Sequence, residues 1–173
     1  MRQVAQGRSG GERAGYAPVV GTIQLEVPIE RPVDVVWAYL SDPRHDAAWQ
    51  LDVLHTTHRP HGPIRVGTRK FTVRRTPFEN QLVEVEYTHL DHAAREWRET
   101  VMVGVLRGST AHYRVVPYGQ GSKVLVNFET RAPGSRRFVM RMVDRSTRSD
   151  LAADLARLKV VLEGVRKAGG VRP

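Results

Sequence analysis

The sequence predicts an α+β domain in which a curved antiparallel sheet of about seven strands wraps on one long C-terminal helix, with two short helices after the first strand. Three features predict this arrangement: an alternating segment near the N-terminus, a β-rich stretch over residues 51–130, and a stripe of leucines at helical spacing near the C-terminus. A meander with one apolar face must cover that face. The terminal helix is the only predicted element large enough to do so.

The first strand is predicted in the segment VVGTIQLEVPI. Its apolar positions alternate with Thr, Gln and Glu, which is typical of a strand with one buried face. These apolar residues are Ile23, Leu25, Val27 and Ile29.

Two short helices are predicted next. The first begins near Pro32, whose missing N–H is not needed in a first helical turn, and ends at Leu40. Asp42 is expected to cap a second helix that starts at Pro43 and runs to about Gln50.

The β-rich stretch divides at turn-forming residues, which favours an antiparallel meander joined by hairpins. Its segments read GTRKFTVRR, NQLVEVEYTHL, REWRETVMVGVL, STAHYRVVPY and SKVLVNFET. After Pro133-Gly134 the pattern becomes helical, with one apolar stripe. The stripe consists of Leu151, Leu155, Leu158, Leu162 and Val165.

Composition sets the domain plan and the compartment. Residues 1–18 are predicted to be a flexible N-terminal tail, residues 19–166 a single domain, and residues 167–173 a flexible C-terminal tail. The chain has no cysteine, which excludes disulfides and thiolate chemistry. No apolar segment near the N-terminus resembles a secretory signal, so a cytoplasmic location is expected.

The net charge of +9 raises the question of polyanionic partners. The arginines are scattered, and pairs such as Arg74-Arg75 point to opposite faces of a strand, so a solvated basic surface is favoured over specific nucleic-acid binding. No apolar run reaches the ~18 residues that a bilayer span needs, so no membrane insertion is expected.

Four segments carry a family resemblance. IERPVDVVWAYLSDPRHDAAWQ, VGTRKF, YGQGSKVLVNFE and DLARLKVVLEG occur in this order. Together they resemble the START-like (SRPBCC) superfamily, and especially its polyketide cyclase/dehydrase-like branch, over about residues 20–166. The resemblance implies a helix-grip fold with an internal cavity for an apolar ligand. That fold carries binding proteins, cyclases, lipid carriers and chaperone cofactors alike, so it does not decide whether this chain is an enzyme.

The sequence gives little support for a metal site, a phosphate-binding loop or a serine hydrolase. His55, His58 and His61 are spaced by three, but they precede loop residues and share a face only in a helix, so no metal site is expected. The GQGSK segment lies between two strands and lacks the spacing of a phosphate-binding loop, so it is interpreted as a hairpin turn. There is no Gly-x-Ser-x-Gly motif. No cofactor is expected.

Alternation on the strands selects the candidate site residues. Glu99 shares a face with Trp97 and Val101, and an ionisable group among apolar neighbours is costly unless it is paired or functional. Glu99 and His89 are the candidates for acid–base catalysis, although Glu99 beside an arginine is as readily a structural ion pair. The residues expected to bind a ligand are Trp37, Trp49, Phe71, Arg75, Tyr87, Trp97, Glu99 and Tyr113.

The predicted function is binding of an apolar aromatic, lipid or polyketide-like molecule in an internal cavity, with cofactor-free cyclase or dehydratase chemistry left open. The alternative is a module that acts through its surface, as an interaction partner or chaperone cofactor, without turnover. That alternative predicts a pocket too small or too blocked for a ligand. A homodimer is compatible with either function.

Overall fold

The computed structural model describes residues 17–76, 78–132 and 137–168 of the chain. The predicted flexible tails fall largely outside these residues, and the domain limits drawn from them remain predictions. Within the described part, a short 3-10 turn (Pro43–His45) lies between two of the helices. The other elements are β1 (Val19–Ile29), α1 (Val33–Leu40), α2 (Asp46–Trp49), β2 (Val53–Arg59), β3 (Arg69–Arg75), β4 (Asn80–Asp91), β5 (Glu96–Val101), β6 (Thr110–Tyr118), β7 (Gly121–Arg131) and α3 (Arg137–Ala168).

The seven strands form one antiparallel sheet in the order β1-β7-β6-β5-β4-β3-β2. Strands β2 to β7 follow one another as hairpins, and β1 closes the far edge beside β7. The predicted helix-grip α+β fold is therefore confirmed. No helix in the described ranges is long and apolar enough to cross a membrane.

The connection between β1 and β2 differs slightly from its prediction. The Asp42 carboxylate accepts a hydrogen bond from the Arg44 amide at 3.0 Å, as a capping residue should. What it caps is the 3-10 turn, and α2 follows as a single turn that begins at Asp46. This arrangement aims the Asp46 side chain at the sheet, where it is almost completely buried.

One end of the inner sheet face is tightly packed. The helix α3 buries Leu155, Leu158 and Leu162 there, as its leucine stripe predicted, while the side chain of Val165 lies outside the described residues. From the sheet, Ile23 and Val27 contribute to the same apolar cluster. Burial of this apolar surface is the main stabilising contribution at this end.

A hydrogen bond fixes the other half of α3 against the sheet. The Thr130 hydroxyl donates to Asp144 Oδ1 at 2.6 Å, and Thr130 is fully buried. Gly21 faces the same carboxylate so closely that a Cβ atom there would collide with Asp144 Oδ2. A side chain at position 21 would therefore displace the Asp144 carboxylate and, with it, the hydrogen bond to Thr130.

The predicted inward faces of β4, β5 and β6 are correct through their central residues. Tyr87 lies opposite Glu99, and Glu99 lies opposite Ala111 on the next strand. Trp97 lies opposite Tyr113 in the same way. All five side chains are buried, so alternation placed them on the right side of the sheet.

The predicted face of β3 is wrong by one residue. Lys70 pairs with Val85 on the inner face, while Phe71 pairs with Glu84 and lies half-buried on the outer face. Because side chains alternate, this single step reverses the face of the β3 side chains, although Arg75 at the end of the strand still lines the cavity. Phe71 therefore lies away from the interior of the domain, which corrects its expected role in ligand binding.

The predicted position of His89 also needs correction. The pairing of β4 with β5 shifts register between Tyr87 and His89, so that His89 lies opposite Arg98. Such a bulge turns the following residues to the other face. His89 is exposed on the outer face, where its ring lies 3.2 Å from Glu96, and it cannot act inside the sheet.

Candidate functional site

A cavity of about 420 Å³ lies between the inner face of β3 to β6 and the helix α3. On α3 it is lined by residues between 146 and 154, just before the packed leucines of the same helix. Apolar and polar side chains line it in comparable number. The apolar wall residues include Val83, Val85, Val101, Ala111, Phe128 and Leu151.

Three charged side chains meet at the floor of this cavity. The Lys70 ammonium on β3 lies 3.3 Å from Asp46 Oδ2 and 3.1 Å from Glu99 Oε2. All three residues are buried, with 3% of Asp46 and 8% each of Lys70 and Glu99 exposed. We call these three residues the floor cluster. Lys70 and Glu99 line the cavity directly, whereas Asp46 approaches Lys70 from α2 behind it.

The charge state of Lys70 follows from its two partners. Burial acts to lower the pKa of the Lys70 ammonium, but the attraction of Asp46 and Glu99 outweighs it and holds that pKa well above its usual value. Burial also raises the pKa of Asp46, which the charge of Lys70 opposes and that of Glu99 reinforces. Lys70 is therefore a permanent cation at neutral pH.

Two tyrosines complete the floor. Tyr113 lines the cavity, and the ring of Tyr87 has the Lys70 ammonium 5.7 Å from its centroid. Burial raises the pKa of both phenols, so both remain neutral hydrogen-bonding groups at physiological pH.

The floor cluster is not fully satisfied. Although Lys70 lies within ion-pair distance, neither Asp46 Oδ2 nor Glu99 Oε2 has a hydrogen-bond partner of acceptable geometry among the described residues. The two carboxylates therefore share a single donor, and Glu99, which lines the cavity, can accept a further hydrogen bond from a group within it.

A second polar group surrounds the mouth of the cavity. Arg74 holds Asp52 at 3.2 Å and the Gln50 side-chain oxygen at 2.5 Å. Across from them, Asp154 on α3 accepts a hydrogen bond from the Leu51 amide at 2.8 Å. Burial raises the pKa of Asp154 to about 6, against the opposing effects of this hydrogen bond and of Arg74.

The predicted site residues fall into two groups. Glu99, Tyr113 and Arg75 line the cavity, with Arg75 at the mouth as the last residue of β3. Tyr87 is adjacent to them, directly opposite Glu99. These are the predicted side chains that the fold brings together.

The three tryptophans lie apart from the cavity lining. Trp97 stacks on Tyr113 with ring centroids 4.6 Å apart, and Trp37 packs on Trp97 at 5.7 Å. Trp49 is buried in the apolar cluster beside α3. They support the wall from behind, so their expected contact with a ligand is not a feature of this geometry.

Sequence reasoning missed Lys70 and Asp46. The signal for Lys70 was available, since the chain has only four lysines among its basic residues and Lys70 is one of two that lie inside strands. A carboxylate on the apolar face of β5 requires a cation, and a lysine two strands away could supply it. Asp46 carried no comparable signal, because a helical acidic residue is usually solvated.

The three histidines spaced by three residues, His55, His58 and His61, do not form a cluster in the structure. His58 contacts the Gly62 carbonyl oxygen at 2.8 Å, and its ring centroid lies 6.4 Å from that of His61. His55 and His58 are three residues apart on β2, which favours opposite faces of the strand. Among the described residues, no group of three potential metal ligands is close enough to hold an ion.

Comparisons with known proteins agree on family and fold. The family described as polyketide cyclase / dehydrase and lipid transport matches residues 21–163. Among curated proteins, none matches this chain closely enough to count as a relative.

Three solved structures illustrate the fold. A structural-genomics protein from Nitrosomonas europaea is 16% identical, with a TM-score of 0.68 over 87% of this chain and 99% of its own. A protein from Thermus thermophilus is 18% identical, with a TM-score of 0.65 over 87% of this chain and 100% of its own. The di-domain ARO/CYC protein BexL from the BE-7585A biosynthetic pathway is 20% identical, with a TM-score of 0.66 over 82% of this chain and 47% of its own.

Proposed function

Because the chain belongs to the polyketide cyclase / dehydrase and lipid transport family, we propose that it binds an apolar, ring-containing small molecule in the cavity between β3 to β6 and α3. The observation that carries this proposal is the buried floor cluster of Asp46, Lys70 and Glu99 beside the apolar side chains of the cavity lining.

The cavity has the size and composition of a small-molecule site. Its volume of about 420 Å³ lies within the roughly 300–1,000 Å³ usual for such sites, where apolar walls hold a ligand and a few polar groups orient it. Here the valines and Phe128 supply the apolar walls, and Lys70, Glu99 and Tyr113 supply the polar floor. The competing hypothesis of a surface-acting module predicted a blocked pocket, so the open cavity favours ligand binding.

The same floor supports cofactor-free acid–base chemistry on a ligand that carries a carbonyl group. The Glu99 carboxylate would accept a proton from the carbon beside the carbonyl, and the electron pair would move onto the carbonyl oxygen. The Lys70 ammonium, protonated at neutral pH, would stabilise that oxygen anion. In a ligand with a second carbonyl group, the enolate carbon would attack that carbonyl carbon and close the ring, and the protonated Glu99 would return its proton to the alkoxide formed. Loss of this hydroxyl together with a hydrogen from the neighbouring carbon would release water, and the apolar walls would hold the ligand folded for ring closure.

Filling the cavity tests the binding proposal. Ala111 lies on the cavity wall beside Glu99, and Ala111→Leu would occupy part of the space that a ligand needs. Ala152→Leu is the matched control, since Ala152 is exposed on α3 outside the cavity lining. Thermal shift and calorimetry with a panel of fused-ring aromatics measure binding by each variant.

We expect Ala111→Leu to weaken binding by at least about tenfold, because an overpacked pocket loses both space and contacts. Ala152→Leu is expected to bind as the unaltered protein does. Equal binding by all three proteins, or no binding of any aromatic by the unaltered protein, would contradict the proposal. The melting temperature of each variant without ligand shows whether it is folded.

A further inference from the structure

The charge of the floor cluster restricts the ligand further. Resting on the binding proposal above, we propose that the deep end of the ligand carries an uncharged or cationic hydrogen-bond donor, such as a phenolic hydroxyl, and excludes a carboxylate. The cavity thereby selects among ligands with the same apolar body by the group that reaches Glu99.

The first argument is a count of charges. Two carboxylates, Asp46 and Glu99, share one ammonium, Lys70, so the ionised cluster carries a net charge of −1 (+1 − 2). The neighbouring phenols of Tyr87 and Tyr113 are neutral and do not change this sum.

Two arginines, Arg74 and Arg75, also line the cavity, and the charge of Arg74 partly offsets the floor cluster because it acts to lower the pKa of Asp46. Arg74 is itself paired with Asp52, and a second of its nitrogens binds Gln50, so its charge is shared with groups outside the floor. An anionic group brought next to Glu99 would therefore meet a carboxylate of the same sign at close range. Like charges in such surroundings repel strongly.

The second argument is that the Glu99 carboxylate can accept a further hydrogen bond. Glu99 Oε2 and Asp46 Oδ2 share the Lys70 ammonium at 3.1 and 3.3 Å, and no other donor among the described residues reaches either oxygen. Glu99 lines the cavity, so a hydroxyl at its deep end is within reach of this carboxylate. A donor placed there replaces part of the hydration that Glu99 lost on burial, whereas a bare hydrocarbon edge replaces none.

The third argument is that the same ligand group should also accept a hydrogen bond from Lys70. The Lys70 ammonium is a donor only, so it can bind the lone pairs of the same hydroxyl oxygen. A hydroxyl both donates to Glu99 and accepts from Lys70, which neither a hydrocarbon nor a protonated amine does. Among uncharged groups of similar size, the hydroxyl fits this floor best.

A matched set of probes tests the inference: naphthalene, 2-naphthol and 2-naphthoate, titrated calorimetrically at pH 7, where the first two are neutral and the third is an anion. We expect 2-naphthol to bind at least about tenfold more tightly than 2-naphthoate, and several-fold more tightly than naphthalene. Binding of 2-naphthoate equal to or tighter than that of 2-naphthol would overturn the inference while leaving the binding proposal intact. If none of the three binds, the binding proposal fails and the inference fails with it.

Substitutions of single acidic residues show which charge is responsible for the preference for 2-naphthol over 2-naphthoate. Glu99→Gln makes the cluster neutral, and it should reduce the preference for 2-naphthol over 2-naphthoate to less than about threefold. Glu96→Gln, which changes the same charge three residues away on the outer face of β5, should keep the full preference. Asp46→Asn neutralises the cluster from α2 and provides a second test should Glu99→Gln fail to fold. An undiminished preference in a folded Glu99→Gln or Asp46→Asn protein would overturn the assignment.

Discussion

The two ends of the inner sheet face differ in what they bury, which is apolar side chains at one end and charged side chains at the other. At the packed end, Leu158 of α3 and Ile23 and Val27 of β1 are buried in one apolar cluster. At the cavity end, the same helix and sheet enclose a space of about 420 Å³ whose floor carries Lys70 and Glu99. The difference indicates that apolar burial at one end of α3 stabilises the fold. The other end can therefore contain buried charges that reduce the stability of the folded state.

The largest effect is expected from removing the cation at the cavity end. Lys70→Met would leave Asp46 and Glu99 as buried carboxylates without a counter-charge, at a cost of about 3–5 kcal/mol in unfolding free energy. Part of this loss should be recovered in acid, because burial raises the pKa of Asp46 and protonation of that carboxyl removes the repulsion. Denaturant unfolding at pH 5 and pH 7.5 measures both effects.

Lys123→Met is the matched control for that substitution. Its ammonium lies 3.0 Å from Glu26, which is mostly exposed on the outer face. An ion pair with an exposed partner contributes about 0–1 kcal/mol, and the Lys123 ammonium also lies 4.2 Å from the centroid of the Tyr118 ring, which adds about 0.5–1 kcal/mol, so the loss should be at most about 2 kcal/mol. Similar losses for the two lysines would show that the floor cluster is not a buried charge network.

At the packed end, Leu158→Ala should cost about 3 kcal/mol, because it opens a void where Leu158 is completely buried. Its effect on ligand affinity should be small, since Leu158 does not line the cavity. Val160→Ala, at an exposed position of the same helix, should change stability by less than about 0.5 kcal/mol. A Leu158→Ala protein that remains stable but loses ligand binding would contradict the division between the two ends.

How much of this contrast can be predicted from the sequence depends on the strand. On β5 and β6, alternation alone placed Glu99 and Tyr113 correctly, because those strands run without a register shift. On β3, the apolar Phe71 and Val73 suggested the wrong inner face, since the sheet buries Lys70 and Thr72 instead. The inner position of Lys70 is explained by its ion pair with the buried Glu99, which is a contact between strands that are not neighbours in the sheet.

Two other features lay beyond sequence reasoning for a different reason. The bulge after Tyr87 has no glycine to mark it, so nothing in the sequence showed that His89 would turn outward. Asp46 joins the site through the way α2 docks on the sheet, which depends on contacts between residues distant in the chain. Local patterns predict elements and faces, but they do not predict how one element docks on another.

The smallest predicted effect concerns the mouth of the cavity. The pKa of Asp154 is raised to about 6 in the folded protein, so the folded state binds this proton more tightly than the unfolded chain does. The resulting stabilisation is fully present below about pH 4 and is lost as the pH rises through about 6. The charges that face Asp154 are those of Arg74, Asp52 and Asp150.

Asp154→Asn removes this charge and keeps an oxygen that can accept the Leu51 hydrogen bond. It should therefore stabilise the protein at pH 7.5 by less than about 1 kcal/mol, since a carboxylate on a cavity wall keeps part of its hydration. Stability measured from pH 4 to pH 7.5 should fall less steeply in the variant. An identical pH dependence in the two proteins would show that Asp154 does not titrate in this range.

A crystal structure of the protein soaked with 2-naphthol tests the central claim most directly. The proposal predicts density for the rings between Ala111, Val101 and α3, with the hydroxyl oxygen within hydrogen-bond distance of Glu99 and Lys70. A second groove, of about 380 Å³ on the outer face beside Gln24, His112 and Asn127, provides the internal comparison. Density in that groove with the inner cavity empty would contradict the assignment of the cavity end as the binding site.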